Sequence, residues 1–300
     1  MAGFRSGFIA IIGRPNVGKS TLINSLIGEK VVIVSDKPQT TRNRIQCVLT
    51  RENCQYIFID TPGLHKPKTK LGEYMVSTAR KALEDMDAVL FVVDAADGIG
   101  SGDRHIADLL KTVTVPVILA VNKMDIANLE PARKAVDEFV KDYSFSEIIE
   151  ISAATGYNLR LLEDKLYTYL PEGPKYYPDD MITDQPERVI IAEIIREKAL
   201  QLLKEEVPHG IGVEIESISE RPDKAITDVH AVIICERTSH KGIVIGKGGR
   251  MLKDIGSLAR QDIERLLGTK VYLELFVKVK EDWRNDQSML RSLGYDKRNL

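Results

Sequence analysis

The sequence has little cysteine, tryptophan or histidine: its 300 residues include three cysteines, one tryptophan and five histidines. Cys47, Cys54 and Cys235 are too few and too scattered for a disulfide framework, and there is no Cys-x-x-Cys. We therefore expect a cytosolic protein whose cysteines are small buried apolar side chains. The histidines show no ligand spacing, which argues against a zinc site.

Long apolar runs and an excess of basic charge are also absent. The N-terminal run at residues 8–12 is far shorter than the ~20 residues that span a bilayer, and no signal-peptide cleavage pattern accompanies it. The formal net charge is −2, from 42 basic and 44 acidic residues. This balance excludes a histone-like nucleic-acid binder. The length predicts about two domains.

Short runs rich in Ile and Val alternate with amphipathic patterns up to residue 170. Continuous apolar runs of this kind are typical of strands that are buried on both faces of a parallel sheet, so an α/β domain is predicted for residues 1–170. Residues 44–60 differ, because two extended runs meet at a polar turn and predict a hairpin with one antiparallel strand. The other predicted strands are 8–12, 88–94, 116–122 and 147–152, and the helices are 72–83, 103–111, 130–140 and 159–169.

Four prolines within residues 171–186 predict an extended linker. Residues 187–300 then show a different order of elements, which predicts a smaller α+β domain. We expect that its first long helix, 187–206, only packs in the hydrophobic core of this domain. The strands that follow are predicted at 211–219, 226–236 and 271–280, with a helix at 250–267.

Residues 13–20, GRPNVGKS, match G-x-x-x-x-G-K-[ST] between a predicted strand and a helix, as a phosphate-binding loop requires. Backbone N–H groups and the helix N-terminus would surround a phosphate. Lys19 would reach the β- and γ-phosphates, and Ser20 would ligate Mg²⁺. The alternative is a chance glycine-rich turn. The predicted phosphate-loop residues are Gly13, Arg14, Pro15, Asn16, Val17, Gly18, Lys19, Ser20 and Thr21.

Two further motifs follow predicted strands. In Asp60-Thr61-Pro62-Gly63, the Asp60 carboxylate can hold Mg²⁺ and the Gly63 N–H can bond a γ-phosphate, although such turns often merely follow strands. In Asn122-Lys123-Met124-Asp125, the Asp125 carboxylate matches the two donors of guanine, which adenine lacks; a polar turn is the alternative. Ser152 and Ala153 end the next strand, where a backbone N–H could meet the base.

In this order, these motifs resemble those of translation-factor-class GTPases. The resemblance implies that Thr40 or Thr41, of which we prefer Thr41, completes Mg²⁺ coordination with Ser20 and Asp60. Lys19, Thr41 and Gly63 would then be the catalytic groups, and residues 35–44 and 61–80 the two switches. Leu64 stands where many small GTPases have a water-orienting glutamine, so slow intrinsic hydrolysis is expected. Asn16 resembles an asparagine that holds K⁺ in some of these proteins, although it could merely stabilise the loop.

The second domain contains a G-x-x-G loop at residues 246–249. In KH domains such a loop clamps a nucleic-acid backbone. Residues 241–253 contain four basic and no acidic residues, whereas residues 181–300 as a whole contain 20 of each. A glycine turn with solvated lysines is the alternative. The predicted RNA-binding residues are Lys241, Ile245, Gly246, Lys247, Gly248, Gly249, Arg250 and Lys253.

A GTPase domain followed by a type II KH domain resembles the bacterial Era family of GTPases, as does the tail LELFVKVKEDWRND at 273–286. The resemblance implies a cytosolic GTPase that binds the 3′ end of 16S ribosomal RNA and assists 30S assembly and rRNA maturation. It also implies partial attachment to the inner membrane face. We expect a monomer that does not bind DNA. Phe276, Trp283 and Tyr295 could stack on bases, but packing is expected for Phe276.

Two other classes of function stay open at this stage. One is an RNA-binding assembly protein in which the nucleotide is only a structural clip. The other is a P-loop ATPase or kinase that acts on a small molecule.

Overall fold

The structure is a computed structural model, and it describes residues 3–35, 37, 40–63, 67–204, 207–222 and 224–296. The first sheet has six strands in the order β2-β3-β1-β4-β5-β6. β2 is antiparallel to β3 and every other pair is parallel. This confirms the predicted mixed, mostly parallel sheet and its hairpin. The strands are β1 (Arg5–Ile12), β2 (Ile45–Thr50), β3 (Cys54–Asp60), β4 (Ala88–Asp94), β5 (Val117–Asn122) and β6 (Glu147–Glu150).

Within the described residues, five helices cover this sheet, and a separate apolar cluster lies on each of its faces. Strands covered on both faces carry apolar side chains in both directions, which explains the unbroken Ile and Val runs. The carboxyl ends of parallel strands meet at one edge, where ligands usually bind. The helices are α1 (Lys19–Ile27), α2 (Lys70–Lys81), α3 (Ser101–Leu110), α4 (Leu129–Phe139) and α5 (Leu159–Tyr169).

The proline-rich segment 171–186 is extended and lies against the sheet. The Ser6 hydroxyl donates to the Pro174 carbonyl at 2.7 Å, and Gln55 Nε2 donates to the Tyr177 carbonyl at 2.9 Å. Domain limits at residues 170 and 186 stay predictions.

The second sheet has three strands in the order β7-β8-β9, antiparallel and then parallel. Helices α6 and α8 pack on one face of it. The helix–strand–strand–helix–helix–strand order is the one expected for a type II KH domain. The sequence pattern alone missed α7 and α9. The elements are α6 (Glu187–Leu202), β7 (Gly212–Glu220), β8 (Ile226–Cys235), α7 (Thr238–Ile245), α8 (Arg250–Leu267), β9 (Lys270–Val279) and α9 (Gln287–Ser292).

An apolar cluster joins the two halves of the chain. Leu71 and Tyr74 of α2 pack with Trp283 and Tyr295 of the tail. Trp283 is fully buried and Tyr295 is 6% exposed, whereas Phe276 is 46% exposed. The expectation for these aromatic residues was therefore wrong: Phe276 is the accessible ring, and the other two pack at the domain interface. No helix among the described residues has the length and apolar character of a membrane span.

Candidate nucleotide and RNA sites

A cavity of about 280 Å³ lies at the carboxyl edge of the six-stranded sheet. Three of the predicted motifs line it together with part of switch I. The lining residues are Pro15, Asn16, Gly18, Lys19, Ser20, Thr21, Val34, Ser35, Thr40, Thr41, Gly63 and Lys123.

Gly18 ends the phosphate loop in the left-handed region, at φ 97°, where a side chain would be strained. A Cβ here would also lie 2.3 Å from Asn122 Nδ2. This close approach lets Asn122 Nδ2 donate to the Val17 carbonyl at 2.8 Å, while Asn122 Oδ1 accepts the Ala153 N–H at 2.9 Å. Asn122 thus ties three loops together through its side chain.

Three predicted metal ligands converge at the other end of the cavity. The Asp60 Oδ2 atom lies 3.1 Å from both Ser20 Oγ and Thr41 Oγ1, and the two hydroxyl oxygens are 3.2 Å apart. The Thr40 hydroxyl instead donates to the Lys37 carbonyl at 2.6 Å. Asp60 is fully buried, and its Oδ1 atom has no hydrogen-bond partner among the described residues. A buried carboxylate beside two hydroxyls suits a hard cation such as Mg²⁺.

Burial changes the protonation of the two central charges. It lowers the pKa of Lys19 to about 8, against the opposing effect of Asp60. It raises the pKa of Asp60 to about 6, against the opposing effects of Lys19 and of the hydroxyls of Thr41 and Ser20. Lys19 Nζ donates to the Gly13 and Arg14 carbonyls at 3.0 and 2.8 Å, so the ammonium lies over its own loop. A phosphate and a cation in the cavity would stabilise the charged forms of both groups.

Several residues that were predicted to bind the nucleotide have side chains that contact protein instead, so they would contribute only their backbone groups to the site. Arg14 Nε lies 2.7 Å from Asp103 Oδ2, and its Nη1 lies 3.2 Å from Asp97 Oδ2, so this guanidinium turns towards α3. Val17 and Met124 are buried in the two apolar clusters. Thr61 and Pro62 are buried too, and the Thr61 hydroxyl donates to the Ile11 carbonyl at 2.8 Å. Leu64 lies outside the described residues.

The end of the site predicted to hold the base is more open. Asp125 is exposed, and Lys123 stands beside it in the left-handed region, at φ 66°. Lys123 Nζ lies 2.5 Å from Asp94 Oδ2. Asp94, the last residue of β4, had not been predicted as part of the site. The available signal was an acidic residue at the carboxyl end of a buried strand, at the same sheet edge as the other motifs. The Ser152 and Ala153 N–H groups bond to Tyr157 and Asn122, so neither points at the base position.

A second cavity, of about 490 Å³, lies between α8 and β9. Its floor is apolar, and Lys253 and Arg260 lie along it. Ile245 and Gly246 are half-buried, whereas Lys247, Gly248, Arg250 and Lys253 are exposed next to its end. Sequence reasoning missed the floor of the groove, although a glycine inside helix α8, Gly256, was a signal for close approach. The lining residues are Gly249, Leu252, Lys253, Gly256, Ser257, Arg260, Leu273, Glu274 and Leu275.

A phosphate loop, a convergent hydroxyl–carboxylate cluster and a G-x-x-G groove define the class: a P-loop GTPase with a C-terminal KH domain. Residues 8–123 match the family described as 50S ribosome-binding GTPase, and residues 206–284 match the KH domain family.

The chain is 58% identical to GTPase Era of Alkaliphilus oremlandii over 293 residues, covering 98% of this chain and 99% of the relative. It is 56% identical to GTPase Era of Clostridioides difficile, with coverages of 98% and 99%. A crystal structure of Era with MgGDPNP and nucleotides 1506–1542 of 16S ribosomal RNA superposes with a TM-score of 0.93, at 44% identity over 97% of this chain and 99% of that one. An Aquifex aeolicus Era variant bound to GDP.AlF4⁻ gives the same values.

This chain belongs to the Era family of GTPases, and it is a GTP-hydrolysing enzyme. The ATPase or small-molecule kinase alternative is therefore set aside.

Proposed function

We propose that this GTPase binds the 3′ end of 16S ribosomal RNA through its KH groove, and that its nucleotide state controls that binding during small-subunit assembly and rRNA maturation. The observation that carries the proposal is the combination of the two cavities in one chain. A relative of 44% identity was solved with MgGDPNP and with that RNA segment.

In the nucleotide site, we propose that the loop 13–20 binds the α- and β-phosphates through its N–H groups and that Lys19 binds the β- and γ-phosphates. Ser20, Thr41 and Asp60 would hold Mg²⁺, which neutralises phosphate charge when it is bound. The Gly63 N–H would donate to the γ-phosphate. A Cβ at Gly63 would lie 2.8 Å from Pro15 N, so only glycine allows this strand end so close to the loop.

For the base, we propose that Asp125 accepts the two guanine donors and that Lys123 covers the ring with its stem. Asn122 acts by holding the loops, since both of its amide atoms bond to protein. Ala154, which is exposed next to Ala153, is a better candidate than Ser152 or Ala153 for an N–H to the base.

The coupling between the sites is proposed to run through the domain interface. Thr40 and Arg42 of the first switch, and Leu71 and Tyr74 of the second, contact the C-terminal half of the chain. A γ-phosphate that orders these segments would therefore change their contacts with the C-terminal half. The contacts would then differ between the GTP and GDP states, as a switch requires. Binding of an RNA with the 16S 3′-end sequence should be tighter with GDPNP than with GDP. Equal affinity would favour the structural-clip alternative instead.

Finer parts of the proposal rest on the resemblance. Asn16 lines the cavity, which supports a K⁺ ion there; equal hydrolysis in K⁺ and Na⁺ buffers would eliminate it. Slow intrinsic hydrolysis is expected, because leucine at position 64 cannot hydrogen-bond to water. A monomer with a cytoplasmic location suits an RNA target on the ribosome, with DNA bound weakly or not at all. Attachment to the membrane surface stays a prediction, which cell fractionation would test.

A further inference from the structure

The described part of segment 30–42 lies along helix α6, which was expected only to fill a core. Lys30 Nζ lies 2.5 Å from Glu197 Oε2, and the Val34 N–H donates to Glu197 Oε1 at 2.9 Å. Glu197 is 1% exposed although it is charged. Burying a charge is costly unless partners compensate for it, so this helix face is built to receive the segment.

Arg196, the neighbouring residue, is buried to the same extent, at 1% exposure. Its guanidinium donates to the Thr40 carbonyl and to the Glu193 carboxylate. A planar guanidinium held at two points has a fixed direction, which a lysine ammonium would not share. The Thr40 carbonyl is therefore fixed in space by the C-terminal half of the chain.

Arg42 is held on the other side of Thr41. Its Nη1 donates to the Ile211 carbonyl at 2.7 Å, and its guanidinium lies 5.6 Å from the centre of the Trp283 ring. Thr41 therefore lies between a residue held at its backbone carbonyl and a residue held at the end of its side chain, with consecutive Cα atoms only ~3.8 Å apart, which restricts its movement. Thr41, between the two held residues, faces Asp60 Oδ2 at 3.1 Å.

We infer that Arg196 is a positioning residue for GTP hydrolysis: by binding the Thr40 carbonyl, it holds the Thr41 hydroxyl towards the Mg²⁺ position. This inference rests on the proposed role of Thr41 as a metal ligand. Under this inference, the GTPase site is complete only when the C-terminal domain is docked against the first domain. Because coupling between two sites is reciprocal, Mg²⁺ and GTP then favour the docked arrangement by the same factor.

The chain provides a matched control on the same helix. Arg188 Nη2 donates to the Ile215 carbonyl at 2.7 Å, a bond that stays within the C-terminal half. Arg188→Gln and Arg196→Gln each remove an arginine–carbonyl bond from α6. Only Arg196→Gln releases the segment that carries Thr41.

The first measurement needs neither nucleotide nor metal. In the nucleotide-free full chain, hydrogen exchange of amides in residues 40–44, which precede strand β2, should become about tenfold faster in Arg196→Gln and stay unchanged in Arg188→Gln. The second is a Mg²⁺ titration of GTP hydrolysis. Half-maximal activity should require about tenfold more Mg²⁺ in Arg196→Gln, within the 5–150-fold range of ordinary coupling, while GDP affinity stays within about twofold.

Arg196→Gln leaves the Glu193 carboxylate without this partner and could destabilise the fold. The double variant Arg196→Gln/Glu193→Gln removes that charge, and it should still show faster exchange and the higher Mg²⁺ requirement. Arg196→Lys should restore part of the wild-type behaviour. Unchanged exchange and Mg²⁺ requirement in the double variant, or equal changes in Arg188→Gln, would overturn the inference. A wild-type chain that binds GTP without Mg²⁺ dependence would instead overturn the proposed metal site.

Discussion

The nucleotide cavity and the KH groove differ in the exposure of their charged side chains. In the cavity, Lys19 is 6% exposed and Asp60 is fully buried. Beside the groove, Lys247, Arg250 and Lys253 are exposed. Buried charges pay a desolvation cost that only a ligand of matching charge and geometry offsets, whereas exposed cations attract any phosphate chain. The first site should therefore be selective and intolerant of substitution, and the second tolerant and sensitive to salt.

The largest expected effect comes from removing the buried ammonium. Lys19→Ala should lower kcat for GTP hydrolysis by about 10²–10³-fold, because the charge that develops on the phosphates loses its nearest cation. Single-turnover hydrolysis with saturating protein measures this directly. Lys111→Ala, an exposed lysine paired with Asp108 on α3, serves as the control and should hydrolyse GTP like the wild type. A loss below about threefold in Lys19→Ala would show that the cavity does not bind phosphate through this residue.

Asp125→Asn should weaken GTP by about 100-fold, since two hydrogen bonds to a carboxylate are worth roughly 1.5–3 kcal/mol each and the amide repels one guanine donor. Xanthosine triphosphate should gain affinity, because its base presents an acceptor at that position. Competition against a labelled guanine nucleotide measures both effects. Asp137→Asn, at an exposed position on α4, is the matched control. Unchanged GTP affinity in Asp125→Asn would refute the base assignment.

The sequence predicted what depends on local patterns. Motif spacing gave the phosphate loop, because the turn, the glycines and the helix start are all consecutive at residues 13–20. The alternation of apolar runs and helical patterns predicted the parallel sheet. Asp60 and Asn122 end two of its strands, so they were expected at the same sheet edge as the phosphate loop. The groove floor formed by α8 and β9 was missed, since its apolar residues look like core residues until their exposure is known.

The role of α6 could not have been predicted from its pattern. Arg196, Glu197 and Lys198 are consecutive, so they point in different directions around a helix, and without a clear apolar stripe the sequence does not show which side of the helix is covered. All three are buried, because segment 30–42 contacts the helix from one side and α8 of the C-terminal half contacts it from another. Partners such as the Thr40 carbonyl and Asp262 lie far away in sequence, and single-sequence reasoning has no access to them.

A change in the G-x-x-G loop tests whether the two sites are separable. Gly248→Asp should weaken binding of the 16S 3′-end RNA by about 10–100-fold by setting a carboxylate against a phosphate, while GTPase activity stays within twofold. Gly248 has φ 61° and open space around a Cβ, and aspartate tolerates that conformation. Gly268→Asp is the control, since Gly268 has φ 66° and open space at the other end of α8. Equal losses in both variants would point to destabilised structure instead of a lost RNA contact.

The smallest effect should come from a single cation at the groove. Lys253→Gln removes one exposed charge, so RNA affinity should fall by only about threefold near physiological salt, uniformly across RNA sequences. The slope of log affinity against log salt should decrease by about 0.7, the value for one phosphate contact on a single strand. Lys224→Gln, exposed between β7 and β8, is the control and should leave the slope unchanged. If Lys253→Gln changed sequence preference at constant salt slope, the groove would read bases through this residue, and the contrast with the selective nucleotide cavity would fail.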